Sequence, residues 1–435
     1  MTGTRELRAS LFWWLAAFSI LSAAFLSGVL RSQALPVWIG DYPSRPVNER
    51  PHFDRSSEFL VENMIDIRLL GVAPPPGGFM FRIEPDPRML DVDRLRAYDG
   101  YWVPKASDLS RQSVYKSQFG LQGRVYPAAA EALELRRQDA VQLLQSANAL
   151  LLAAMLATIL LLFRKEWGAA AALSALAFCV FSTGFNLFAP SLYWITFVHV
   201  APAAILSLAI LGGAHRRLAW LGAYSLVFVL FAIKLSSGYE FMTATVGGAV
   251  LPFLVSYGAG RIGWRALLVH AAALNAVGLA AFAVCLAAYN LHFQATFGES
   301  GIAYLLSRSD EWGAPAVQSA VDLLRNFSKV LLINFVDVGG YGLPNALPLA
   351  AGGLFVLLGV RALFLRLTEE ASSRLFLAIA GGFLISIAWA ALQPQHILFH
   401  PRYSSILMSY PFGLLLVAGM VRLLQLARAR RRLPS

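Results

Sequence analysis

Four short stretches carry the residue types that can do chemistry. The first is Trp38-Ile39-Gly40-Asp41-Tyr42-Pro43, with Arg45, Glu49, His52 and Asp54 close behind. A carboxylate such as Asp41 can take a proton from an acceptor hydroxyl. It can equally be a solvated turn residue, and Asp54 and Asp66 are rivals by position. The second is Lys234-Leu235-Ser236-Ser237-Gly238-Tyr239-Glu240-Phe241. Glu240 is a second base candidate and Lys234 a phosphate ligand; the plain alternative is a salt bridge between them that closes a hairpin.

The third is Gln393-Pro394-Gln395-His396-Ile397-Leu398-Phe399-His400-Pro401-Arg402-Tyr403. An arginine fork suits phosphate oxygens, although Arg402 could instead snorkel to head groups. With Arg402, the residues Tyr403, His400 and His396 complete a substrate-binding set. His396 and His400 have the i,i+4 spacing of a metal pair, but Pro401 follows and the Glu of a zinc helix is missing. No metal ligand is assigned; no cofactor is identified, and a divalent metal stays open. The fourth stretch is Tyr115-Lys116-Ser117-Gln118-Phe119-Gly120-Leu121-Gln122-Gly123-Arg124. Gln118 and Gln122 could meet a sugar through amide hydrogen bonds beside aromatic rings, or the stretch is an ordinary turn before a helix. There is no Walker A sequence, dinucleotide fingerprint or Gly-x-Ser-x-Gly elbow, so ATP energy would need another subunit.

What must position these residues is a set of apolar helices. The 435-residue chain is 57% hydrophobic and 14% charged, with a mean hydropathy of +0.58, where a soluble domain carries about 25% charged residues. The deficit is concentrated in blocks of about 20 apolar residues, the length that crosses a bilayer, and the strand alternation of a β-barrel is absent. The blocks are 9–30, 141–163, 168–186, 194–213, 218–234, 242–259, 266–290, 346–365, 375–392 and 404–426. The expected fold is therefore an all-α polytopic membrane protein of about ten transmembrane helices, with a mixed extracytoplasmic region after the first.

That divides the chain into a signal anchor at 1–30, an extracytoplasmic region at 31–140, transmembrane helices two to seven at 141–290, an extracytoplasmic loop at 291–345, and helices eight to ten with a basic cytoplasmic tail at 346–435. The first block is longer than a cleaved signal's apolar core, though Ser22-Ala23-Ala24 leaves cleavage open. With the N-terminus inside, the inner segments hold 16 basic and four acidic residues and the outer ones 20 basic and 21 acidic. The high pI is thus a topology signal and does not point to nucleic acid. Both cysteines, Cys179 and Cys285, fall in apolar blocks, so no disulfide staples the outer regions.

Within 31–140 the pattern predicts an amphipathic helix over 55–70, with Phe59, Met64, Ile65 and Leu69 near one face. That helix would lie on the membrane or pack within a small domain of its own. A chain break follows at Pro74–Gly78, then a short strand near 79–83. Past Pro127 nothing in the sequence interrupts a helix before Phe163. Such a run, about 50 Å long, would raise Glu131, Glu134, Arg136, Arg137 and Asp139 on a stalk. Another amphipathic helix is expected at 315–335.

This layout resembles the GT-C class of membrane glycosyltransferases. It shares a first span followed at once by a large outer loop, an early acidic residue in that loop, surface helices, and a late His400-Pro401-Arg402-Tyr403 loop. Many members carry a paired acidic motif where Asp41 here has no acidic neighbour. The resemblance implies a sugar donor on a polyprenyl phosphate and a glycan, lipid or protein acceptor. It implies a phosphate met by Arg402, Lys234 or Arg45, and Asp41 or else Glu240 as base, with inversion at the anomeric carbon. The expected setting is cell-envelope glycan assembly at a bacterial inner membrane, both termini cytoplasmic, with membrane lipids and no nucleic acid as partners. The rival readings are a lipid-linked glycan polymerase or ligase, a non-enzymatic lipid or glycan transporter, and a membrane scaffold.

Overall fold

The computed structural model describes residues 2–27, 56–83, 112–213, 217–313, 346–367, 370–392 and 404–431. Asp41, Arg45, His396, His400, Arg402 and Tyr403, and the helix expected at 315–335, lie outside them.

The chain opens with helix α1 (Thr2–Ser27). A small outer unit follows: α2 (Ser56–Leu69), a 3-10 turn at Pro76–Gly78, strands β1 (Phe81–Ile83) and β2 (Gln112–Val114), and α3 (Gln122–Ala132). The strands pair antiparallel, Arg82 opposite Ser113. The bundle continues with α4 (Arg137–Trp167), α5 (Ala169–Phe181), α6 (Thr183–Phe188), α7 (Thr196–Leu211) and α8 (Arg217–Ser237). Then come α9 (Met242–Gly248), α10 (Leu251–Gly258), α11 (Trp264–Phe297) and α12 (Gly301–Gly313). The last elements are α13 (Ala346–Phe364), α14 (Ala371–Leu392), α15 (Ser404–Leu407) and α16 (Leu414–Arg431). Between α15 and α16 the helix is interrupted at Tyr410, whose backbone is extended (φ −135°, ψ 126°).

Six of the ten expected spans are helices long and apolar enough to cross a membrane: Glu6–Ser27, Asp139–Trp167, Arg217–Ser237, Trp264–Phe297, Ala371–Trp389 and Met408–Ala429. The protein is therefore an integral membrane protein. The other four apolar segments are shorter: Ala169–Phe181, Thr196–Leu211, Met242–Gly258 and Gly353–Phe364. Two of them are cut short by identifiable breaks. Ser182 ends α5, accepts a hydrogen bond on Oγ from the Phe185 amide and pairs with the Ser409 hydroxyl at 2.6 Å. Pro252 has no amide proton to give the preceding turn, and the 242–258 stretch divides into α9 and α10.

Large apolar side chains point outward along the long helices, among them Leu7, Leu11 and Leu15 on α1, and Leu268, Leu279 and Leu291 on α11. In water such stripes would be costly; against lipid tails they are matched. Inside, helices are held by sparse polar bonds: Trp14 Nε1 donates to Thr158 Oγ1, Trp167 Nε1 to the Val255 carbonyl and the Tyr410 hydroxyl to the Gly248 carbonyl. Such interhelical bonds stand in where lipid weakens any hydrophobic drive to associate.

The single long helix expected after Pro127 is not formed. Pro127 sits inside α3, and α3 and α4 are separate, divided at Glu134 in the left-handed region (φ 51°). The amides of Leu133 and Leu135 donate back to the carbonyls of Ala129 and Ala130, so the last turn of α3 is satisfied without glycine or proline. Instead of standing on a stalk, α3 lies beside α2, where Arg68 meets Glu131. Helix α2 buries Leu60, Val61, Met64, Ile65 and Ile67. It is thus packed against its protein neighbours.

Segments at 56–83, 112–136, 189–195, 236–241 and 289–305 meet at one end of the bundle. The turns near 166, 211, 261 and 374 meet at the other, through Lys165, Arg261 and Arg374.

Candidate functional site

At the first of these ends the Tyr193 hydroxyl is a hub. It lies 3.2 Å from Glu240 Oε1, 3.4 Å from Gln118 Oε1 and 3.3 Å from the Tyr115 hydroxyl. One phenolic proton cannot serve both acceptors at once, so the hub has two alternative hydrogen-bonding arrangements.

Each member is placed by local structure. Tyr193 stands on the turn before α7, which starts at Ile195 with a left-handed backbone (φ 45°). Glu240 stands on the turn before α9, which starts at Phe241, also left-handed (φ 60°). Two non-glycine residues in that region, each next to a polar group, mark backbone strain held by the surrounding packing. Phe241 stacks on Trp194 with ring centroids 5.0 Å apart, tying one turn to the other.

The Gln118–Gln122 stretch closes over both turns. The Leu121 amide donates to the Ser236 carbonyl at 3.0 Å. Gln122 Nε2 donates to the carbonyls of Tyr193 (3.2 Å) and Ser237 (2.8 Å). Gly238 makes the approach feasible: a Cβ there would lie 2.5 Å from Gln118 Oε1 and collide with Glu240 Oε2. Both glutamines are buried, at 1% exposure. Among the described residues Gln118 Nε2 and Gln122 Oε1 nevertheless find no partner, which leaves one unmet donor and one unmet acceptor beside a carboxylate and a phenol. Orphaned buried amides of this kind are rare and call for a ligand or an ordered water.

Lys234 is buried in the last turn of α8 and donates to the Gly238 carbonyl at 3.5 Å. Among the described residues it forms no ion pair with Glu240, so the salt bridge weighed for this hairpin is not made. The ammonium and the carboxylate still lie within electrostatic reach of each other, as do Lys234 and His199. The Thr245 hydroxyl is committed to the Phe241 carbonyl at 3.0 Å. His199 Nδ1–H therefore donates to Thr245 Oγ1 at 2.6 Å, and its Nε2 carries a lone pair without a partner.

Beneath the hub, Glu58 of α2 holds the Tyr193 turn. Its carboxylate accepts from the Ser191 hydroxyl and from the amides of Leu192 (2.9 Å) and Tyr193 (3.4 Å). Burial pushes its pKa up to about 7 against the pull of those donors.

Four of the residues singled out from the sequence are thus brought together: Glu240, Lys234, Gln118 and Gln122. The 115–124 stretch is both the turn before a helix and part of the site. Tyr193 and Glu58 were missed, and Tyr115 stood in the fourth stretch without a role of its own. Tyr193 lies in a short turn between two apolar segments, the feature that singled out Glu240, and could have been found in the same way. Chemically, the arrangement offers a carboxylate base, amide and phenol groups suited to hydroxyls, and a buried cation. Among the described residues no three His, Cys, Asp or Glu side chains cluster as a metal site. No family model, curated protein or solved structure matches this chain.

Proposed function

We propose that this chain is a GT-C-type membrane glycosyltransferase that moves a sugar from a polyprenyl-phosphate donor to an acceptor at the extracytoplasmic face of a bacterial inner membrane. In this reading all ten apolar segments enter the membrane, both termini are cytoplasmic, and the end that carries Tyr193 faces outward. Glu240 takes the proton of the acceptor hydroxyl as that oxygen attacks the anomeric carbon, while Asp41 remains the alternative base. The bond from anomeric carbon to phosphate oxygen breaks, and the lipid phosphate leaves with the charge that Lys234 is placed to stabilise. Gln118 and Gln122 hold sugar hydroxyls.

The observation that carries the reading is the Glu240 carboxylate on the Tyr193 hydroxyl, flanked by two buried amides with an unmet donor and an unmet acceptor. The test is transfer of labelled sugar from a polyprenyl-phosphate donor by the full chain in membranes. Glu240→Gln should lower turnover about 10²–10⁴-fold, the usual share of a general base. Undiminished transfer in both Glu240→Gln and Asp41→Asn would sink the mechanism.

A further inference from the structure

A second cluster lies where the outer unit meets α11. Arg124 stacks over the Phe119 ring, its Cζ 4.2 Å from the centroid, and Lys116 Nζ lies 4.2 Å from the centroid of Phe297. The ring centroid of His292 lies 5.2 Å from those of both Phe119 and Phe79, its Nε2 is 3.1 Å from an Arg124 nitrogen, and Phe79 in turn lies 5.3 Å from Phe297. Arg124 and His292 share a single neutral acceptor, the Gly77 carbonyl, at 2.5 and 2.8 Å. Among the described residues no carboxylate pairs with Lys116, Arg124 or His292, and Arg124 Nε is buried without a partner. Burial also lowers the Arg124 pKa from its ordinary value. Two cations and an imidazole, half-buried on an aromatic floor with no counter-charge among the described residues, call for an anion to offset their desolvation.

The depth of the cluster says what kind of anion. Helix α11 has 34 residues, about 51 Å at ~1.5 Å per residue, against a hydrocarbon layer of about 30 Å. Trp264 and Arg265, in contact at 5.5 Å, suit the interface at its far end. The turn that carries His292 then comes out at the level of the head groups, next to the outward-facing Leu291. We infer that Lys116, Arg124 and His292 form a binding site for the phosphate of a lipid. An arginine fork and a lysine point charge are the usual means of holding phosphate oxygens, and the exposed flank of α11 would take the lipid's chain.

The test is native mass spectrometry of the full chain in detergent with one defined lipid at a time: phosphatidylglycerol, phosphatidylcholine or a C55 polyprenyl monophosphate. Wild type should retain at least one of the two anionic lipids, and Lys116→Gln and Arg124→Gln should each lower that retention about tenfold. Lys116→Gln leaves the Arg124–Gly77 bond intact, so its loss of lipid would not come from unfolding. Retention of phosphatidylglycerol alone identifies a bulk head-group site; retention of the polyprenyl phosphate alone identifies a donor or product site. Equal retention by wild type and both variants, or the same retention of phosphatidylcholine as of the anionic lipids, overturns the inference. The measurement reads occupancy without turnover, so it stands or falls separately from sugar transfer.

Discussion

At the end of the bundle that holds Arg164, Lys165 and Arg261, these three cations each have an acceptor. Arg164 donates to the Ala9 carbonyl, Lys165 to the Leu211 carbonyl, and Arg261 covers the Glu166 carboxylate at 3.0 Å. At the opposite end the polar groups are more deeply buried and incompletely matched: an orphaned donor on Gln118, an orphaned acceptor on Gln122, and strained backbone at Ile195 and Phe241. A fold seeking only stability would finish both ends like the first. The contrast supports the proposal that binding and chemistry lie at the Tyr193 end.

Six measurements would sharpen or break that contrast. The largest effect is expected for Glu240→Gln, about 10²–10⁴-fold in sugar transfer, with the folded fraction unchanged by size-exclusion profile. Next is Gly238→Ala, which would push Gln118 and Glu240 away from Tyr193; transfer should fall about 10²-fold, the cost of a misplacement of roughly 1 Å, with little change in Tm. Gln122→Leu keeps the volume but strands the Tyr193 and Ser237 carbonyls, and should lower stability by about 1–3 kcal/mol in thermal unfolding. Glu58 should make stability depend on pH. Its folded-state pKa of about 7 stands above its ordinary 4.5, so the folded chain binds the proton more tightly. That contribution is complete below pH 4.5 and is lost as pH rises through 7. The chain should melt higher at pH 5 than at pH 8, and Glu58→Gln should reduce that difference. The smallest effect is expected for Arg68→Gln. Both partners of the Arg68–Glu131 pair are half exposed, so less than about 1 kcal/mol is at stake. An equal loss of transfer in Arg261→Gln, at the matched end, would remove the contrast altogether.

The apolar segments were legible because hydropathy over about 20 residues outweighs every local preference. Their interruptions were not. Ser182 and Glu134 are unremarkable in sequence, and each break depends on partners brought from elsewhere, Ser409 for the first and the α2 surface for the second. Strand β1 could be anticipated from Phe79–Ile83, whereas its partner at Gln112–Val114 was lost in a mixed stretch without alternation. In the site, Glu240, Lys234, Gln118 and Gln122 were readable because polar residues at the ends of apolar helices are costly there. Which of them meet was not readable. Tyr193 became the hub only when the 115–122 stretch closed over two turns far away in sequence, and Glu58, on a helix expected to be amphipathic, gave no sign that its carboxylate would be enclosed.

The Gln122 side chain has a consequence for anyone wishing to study the outer unit by itself. Its amide joins the turn before α7 to the end of α8, while Glu58 clasps that same turn, between α6 and α7. Residues 56–136, expressed apart from the bundle, would leave those polar groups without partners. The outer unit and the membrane bundle should fold, and be exchanged between proteins, as a single piece.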